Sequence, residues 1–225
     1  MTVLRCCPLV KAICIIMAIV GGLLFIWLFP VKLVSRLAHR LGHSMPCPSS
    51  LSWSLDNPWR RRAMRPVLER IGIQPGECVL ELGPGCGAYT PAAARRAAPG
   101  GRLIAVDIQP DMIARVQKRV QAEGLTNVET HVASAHALAL ADESVDRAFL
   151  ITVLPEVPDP GRALAELHRV LRRGGLLSIT EEFLDPDYHF ARETIRQVEA
   201  AGFWLEERFG NLWIYTANFR KDPST

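Results

Sequence analysis

The 225 residues suffice for one catalytic-sized domain and an appendage. At 49% hydrophobic and 22% charged the chain is too apolar for disorder, and six cysteines are too sparse for a disulfide-stapled scaffold. The formal charge of +3 divides unevenly: residues 1–70 hold ten Lys/Arg against Asp56 and Glu69, a net of +8, and residues 71–225 hold 16 basic against 21 acidic residues, a net of −5. An acidic main body gives little attraction for phosphate backbones, so nucleic acid is not an expected partner.

In chain order, residues 1–11 form a short tail carrying Arg5 and Lys11. Its Cys6 and Cys7 read either as palmitoylation sites or as a plain pair of thiols. Residues 12–29, AICIIMAIVGGLLFIWLF, contain no charge. As a helix they would span roughly 27 Å, close to the ~30 Å hydrocarbon core, with Trp27 near one boundary. We read them as a retained transmembrane anchor; a cleaved signal peptide is the rival, but no small-x-small cleavage site follows and the run exceeds a usual signal core. Lys32, Arg36 and Arg40 follow the run, against Arg5 and Lys11 before it. This excess places the rest of the chain in the cytoplasm. Residues 30–57, ending in the Ser-rich HSMPCPSSLSWSLDN, read as a linker. Asn57-Pro58 is an N-cap followed by Pro at the first helical position, opening a helix over 58–71 and a domain over 58–225.

In that domain ECVLEL alternates as a strand over 77–82, GPGCGAYT follows as a glycine loop, and an Ala-rich helix spans 88–97. GRLIAVD makes a second strand ending at Asp107. A carboxylate at that tip can accept hydrogen bonds from both hydroxyls of a ribose. Further strands are expected at 128–132, 146–151, 175–181, 203–209 and 212–219, with helices at 111–123, 160–172 and 189–201. Ala163, Leu164, Leu167, Val170 and Leu171 give the 160–172 helix one apolar face.

Three details separate the adenosine-type cofactors. The glycines run G-x-G-x-G, not the G-x-G-x-x-G of dinucleotide sites. Glu81 stands two residues before the loop, where an acid repels a pyrophosphate and suits a cofactor with an ammonium group. The chain also ends in two strand-like runs separated by Gly210-Asn211, which is not typical of dinucleotide domains.

On these residues the chain resembles the class I S-adenosylmethionine-dependent methyltransferases, over about residues 60–220. Glu81-Leu82-Gly83-Pro84-Gly85-Cys86-Gly87 is similar to their cofactor loop and Asp107 to their ribose-binding acid. Leu171-Arg172-Arg173-Gly174-Gly175-Leu176 resembles the turn before their fifth strand. Val157-Pro158-Asp159-Pro160 resembles a turn of the small-molecule branch, which includes quinone and thiol methyltransferases. The resemblance implies a Rossmann-like α/β fold: a seven-stranded, mostly parallel sheet in the order 3-2-1-4-5-7-6, last strand antiparallel, helices on both faces. It implies S-adenosyl-L-methionine as cofactor, held by Glu81, Gly83, Pro84, Gly85, Gly87, Asp107, Ile108, Ser134 and Ala135. Ser134 stands where many relatives have a carboxylate for the adenine amino group, and His136 beside it either covers the adenine or caps a turn.

Methyl transfer from a sulfonium requires alignment and exclusion of water more than acid–base work. Glu156, at the end of the fourth strand, is the candidate catalytic base for an acceptor that needs one; the bland reading is a surface carboxylate in a turn. Glu181, Glu182, Asp185, Asp187 and His189 read as a polar acceptor-side loop rather than a metal site, and no metal is expected. The anchor points to a small hydrophobic acceptor, such as a lipid or quinone, methylated at a membrane surface. The alternatives are a nicotinamide-dependent oxidoreductase and a membrane-tethered module that keeps the fold without turnover.

Overall fold

The computed structural model of the protein describes residues 8–26, 30, 32–34 and 58–222. Cys6, Cys7, Trp27 and most of the expected linker lie outside them.

The first helix, α1, spans Pro8–Ile26 and takes in Lys11. The expected membrane span over 12–29 is not supported: no helix among the described residues is long and apolar enough to cross a membrane. The uncharged part of α1, residues 12–26, reaches only roughly 22 Å against a ~30 Å core. Residues 11–23 of α1 are exposed throughout.

The domain begins with α2 (Pro58–Ile71). Then come β1 (Cys78–Leu82), α3 (Thr90–Ala97), β2 (Arg102–Asp107), α4 (Pro110–Ala122), β3 (Val128–Val132) and β4 (Val145–Ile151). A single 3-10 turn (Leu154–Glu156) precedes α5 (Pro160–Val170), β5 (Leu171–Glu182), α6 (Ala191–Glu199), β6 (Phe203–Gly210) and β7 (Ile214–Lys221). The seven strands form one sheet in the order β3-β2-β1-β4-β5-β7-β6, as expected. β1 is parallel to β2 and β4, and β7 is antiparallel to both β5 and β6.

Period-two alternation sorts the side chains into two cores. Leu80, Leu82, Ile104, Val106, Ala148, Leu150, Leu177 and Ile179 point to one face and pack with Leu164 and Leu167 of α5 and Val198 of α6. Val79, Leu103, Phe149 and Ile151 point to the other, against Met64, Val67 and Ile71 of α2 and Ala93, Ala94 and Ala97 of α3. By the same alternation Glu81 and Asp107 leave the sheet on the α2–α3 face. The apolar stripe of α5 falls where its spacing places it, and Asp159 caps the helix by accepting from the Arg162 amide at 3.0 Å.

Several element ends fall a residue or two from expectation, α3 and α6 among them, and two differ for a visible reason. α5 stops at Val170, and β5 starts at once: Val145 pairs with Leu171, but Arg147 already pairs with Leu176. Residues 172–175 are an insertion in the edge of β5, turned by Gly174 at φ +68° and held by the ion pair of Arg172 with Asp146. The last strand starts at Ile214 instead of residue 212. Gly210 adopts φ +86°, the Asn211 amide donates to the Ile214 carbonyl at 3.0 Å, and the Asn211 side chain accepts from the Trp213 amide, so 210–213 are spent on the turn.

One buried ion pair locks the start of the sheet to α2. The Arg147 guanidinium donates to both Glu77 carboxylate oxygens at 2.8 Å and to the Ile71 carbonyl at 2.7 Å. Burial alone would raise the Glu77 pKa, but the hydrogen bonds from Arg147 and the Gln74 amide, with the charges of Arg147 and Arg172, together hold the carboxyl below its ordinary value. Removing the cation leaves Glu77 desolvated without compensation, so Arg147→Met should destabilise the domain by about 3–5 kcal/mol. A lower urea midpoint with unchanged slope is the expected reading.

Candidate active site

The carboxyl ends of β1, β2 and β4 converge on one cleft. The chain leaves β1 at Gly83, whose amide donates to the Val106 carbonyl of β2 at 2.8 Å. Gly83 lies at φ +69°, and a Cβ there would sit 2.5 Å from Val153 Cγ2. Only glycine satisfies both the left-handed backbone and the close approach. The loop then tightens again, with the Gly87 amide donating to the Pro84 carbonyl at 3.0 Å.

The cleft encloses about 250 Å³ and is lined by Gly83, Gly85, Asp107, Ile108, Ser134, Ala135 and Glu156, together with Thr152, Val153, Val157 and Pro158. A smaller cavity of about 40 Å³ adjoins it through the shared walls of Gly83, Gly85 and Thr152, and is lined further by Glu81, Pro84, Tyr89 and Arg60. The structure therefore brings together every residue proposed from the sequence except Gly87. That glycine lines neither cavity: its carbonyl accepts from Arg119 at 2.8 Å, and its Cα packs toward Val116, so it shapes the approach to α3.

Two carboxyls set the electrostatics. Asp107 is 8% exposed; Gln109 donates to its Oδ1 at 2.9 Å, and the Gly85 and Ile108 amides also stabilise its charge. Burial outweighs them and raises its pKa. Glu81 is 3% exposed, and its Oε2 has no hydrogen-bond partner among the described residues. Burial pushes its pKa up to about 7, with the Thr90 hydroxyl drawing it back and Asp107 adding to the rise. A buried carboxyl at the base of a glycine cradle, without its own cation, is a receptor for a ligand's positive charge.

Other contacts were not legible in the sequence. Thr152, at the end of β4, sits at φ +55° with its amide bonded to the Thr180 carbonyl at 2.8 Å, and it lines both cavities. Nothing in the string ITVLPEV marks that backbone. His136 reaches from the β3 side to the Asp159 carbonyl at 3.0 Å, and the Ser134 hydroxyl accepts from the His136 amide at 3.2 Å. His136 thus ties two walls of the cleft together. Among the described residues no group of His, Cys, Asp and Glu side chains forms a metal cluster.

The family model of the methyltransferase domain matches residues 80–179. The computed fold superposes on a SAM-dependent methyltransferase from Aquifex aeolicus with a TM-score of 0.73 and 25% identity, covering 78% of this chain and 99% of that one. Residues 80–179 thus resemble a methyltransferase domain, and the fold is that of the class I S-adenosylmethionine-dependent methyltransferases. By sequence it is 34% identical over 132 residues to the ubiquinone/menaquinone biosynthesis C-methyltransferase UbiE of Hydrogenovibrio crunogenus, which covers 58% of this chain and 50% of that protein. It is 36% identical over 109 residues to an arsenite methyltransferase of Halobacterium salinarum, covering 48% and 28%. The chain spans about half the length, or less, of these curated relatives.

Family and fold imply S-adenosyl-L-methionine as the cofactor of the methyltransferase domain. The residues present fit it: Glu81 meets the need of an ammonium group, Asp107 that of ribose hydroxyls, and Ser134 and Ala135 offer an edge to the adenine. The Asp107→Ala change should cost about 1.5–3 kcal/mol of binding, roughly 10–150-fold in affinity for S-adenosylhomocysteine by calorimetry. Gly83→Ala should also weaken it, and adding Val153→Ala should restore part of the loss because the clash partner is gone.

Proton linkage gives a second test. A raised folded pKa means that the Glu81 contribution to apo stability is full below its ordinary value of 4.5 and is lost as pH rises through about 7. A bound ammonium favours the carboxylate, so cofactor affinity should rise with pH up to about 7 and then level off. Below 7 it should fall by up to about tenfold per pH unit. The Glu81→Gln variant should bind weakly at every pH and show no such slope.

Proposed function

We propose that the chain catalyses methyl transfer from S-adenosyl-L-methionine to a small, hydrophobic acceptor of the quinone or lipid class, working beside a membrane. The observation that carries this reading is the Glu81–Gly83–Asp107 cradle opening directly onto an apolar wall of Val153, Val157 and Pro158 that ends at Glu156. The cofactor supplies a methyl group already activated on a sulfonium. The residues of the chain do the rest. Glu81 anchors the charged end, Asp107 the sugar, and the Gly83 turn fixes the distance between them. The apolar wall excludes water from the reacting centre. Glu156 lines the same cleft and would take the proton of an acceptor hydroxyl, where the acceptor carries one.

The quinone class is supported by relatives named for ubiquinone, menaquinone and demethylmenaquinone methylation, at 34% and 31% identity. An oxidoreductase reading is disfavoured by the buried Glu81 under the loop, which would repel a pyrophosphate. Membrane association is supported by α1, whose Ile13, Ile15, Ile16, Met17, Ile19 and Val20 are all exposed. A helix apolar on every side needs an apolar surrounding. The excess of Lys32, Arg36 and Arg40 after it supports a cytoplasmic domain.

The deciding experiment incubates purified protein and methyl-labelled cofactor with a reduced quinone and lipid extract, followed by mass spectrometry. A labelled apolar product is expected. Cofactor binding without any labelled product would count against catalysis and favour a module that keeps the fold without turnover.

A further inference from the structure

β5 ends in a carboxyl that the cofactor site does not use. Glu181 follows Leu177 and Ile179 on the α5–α6 face of the sheet. It is 0% exposed, and neither of its carboxyl oxygens has a hydrogen-bond partner among the described residues. Buried polar groups are normally matched, so an unmatched carboxyl in a core calls for a reason.

The neighbouring hydroxyls are committed elsewhere. Tyr215 stands opposite Glu181 across the β5–β7 pair, yet its hydroxyl donates to the His189 carbonyl at 3.0 Å. The Tyr188 hydroxyl donates to the Leu212 carbonyl at 3.0 Å. The charged groups that act on Glu181 are acidic: Glu156 from the turn after β4, and Asp185 and Asp187 from the loop after β5. Burial first, and then these neighbours, push the Glu181 pKa well above the ordinary carboxylate range. Both influences favour the protonated form, which donates one hydrogen bond and accepts others. That pattern suits a ligand oxygen that is a hydroxyl or a carbonyl.

The loop that follows β5 is aromatic. Tyr188 meets Phe183 and Phe190 edge-to-face at centroid distances of 5.2 and 5.4 Å, and Phe183 meets Trp213 at 5.1 Å. The Lys32 ammonium lies 4.9 Å from the Phe183 ring and bonds the Asp185 carbonyl, closing the amino-terminal side. The connection to the cofactor is Glu156, which both acts on Glu181 and lines the cofactor cleft.

We propose that Glu181 is the acceptor-recognition group of the domain: its carboxyl takes a ring oxygen of a hydroquinone-class acceptor, seated between the aromatic side chains of the β5–α6 loop and Glu156. This rests on the methyl-transfer reading and names the side of the cleft from which the acceptor is held.

The test uses the full chain, with 1,4-dihydroxynaphthalene under anaerobic conditions as probe and S-adenosylhomocysteine present. Binding is read by quenching of tryptophan fluorescence, since Trp213 belongs to the aromatic cluster. Glu181→Leu should weaken probe binding by at least about tenfold and Glu181→Gln by a smaller factor, with S-adenosylhomocysteine affinity unchanged in both. Glu181→Leu should also melt at a higher temperature than the wild type, because an unmatched buried carboxyl has been removed. Should the leucine variant fail to fold, the binding result for the glutamine variant decides. Wild-type probe affinity in both variants, or a lowered melting temperature in both with cofactor affinity lost, would overturn the assignment in favour of a structural role. A wild type that binds S-adenosylhomocysteine but not the probe overturns the assignment alone; one that binds neither overturns the methyltransferase reading with it.

Discussion

The hydrogen bond from the Gly83 amide to the Val106 carbonyl ties the end of β1 to the end of β2, and the cleft depends on it. It holds the glycine loop over the sheet while Glu81 lies beneath and Asp107 beside it. Because β1 and β2 run in register from Cys78 with Arg102 to Leu82 with Val106, the two acids emerge on one face only a strand apart. The close approach of Val153 to Gly83 adds the third strand, β4, to the same junction. A cofactor site on this architecture is thus a property of three strand ends at once, and no single loop carries it.

Much of this geometry was legible in the sequence because it follows from local rules. Alternation in ECVLEL and GRLIAVD set both strands, the spacing from Gly87 to Asp107 set the helix between them, and Ala163, Leu164, Leu167 and Val170 set the buried face of α5. What escaped reading depends on contacts between distant segments. The jump in β5 register at residues 172–175 goes with an ion pair of Arg172 with Asp146 across the strand pair. Thr152 stands at positive φ with its amide bonded to Thr180, nearly 30 residues away in sequence. Glu181 looked like one acid among several in a polar loop, since nothing local in the sequence signals that it is fully buried. The amino-terminal run is apolar enough in composition to suggest a span, but the described helix, Pro8–Ile26, takes in Lys11 and does not support one.

The uneven charge now has a structural meaning. The acid surplus of the domain is partly interior: Glu81, Asp107 and Glu181 are buried around the cleft and behind it. Burial raises the pKa of all three, that of Glu81 to about 7, which favours their neutral forms. The effective charge that the domain shows to solvent is accordingly less negative than its composition suggests. The basic residues do not merely offset acids at a distance either, since Arg60 of α2 pairs with Glu182 at 2.8 Å and lines the smaller cavity.

The place of β7 has a consequence for how the chain is made. The final strand is inserted between β5 and β6, and Lys221 at its end donates to the Leu171 carbonyl at the start of β5. Until roughly 40 residues beyond Glu182 have been added, the outer edge of β5 has no partner. At translation rates of about 5–20 residues per second, that edge stands open for roughly 2–8 s in every round of synthesis. An unpaired edge is an invitation to foreign strands. The interval between the two strands is therefore a window in which a nascent-chain chaperone has the most to protect, and in which slower translation would carry the greatest risk of misassembly.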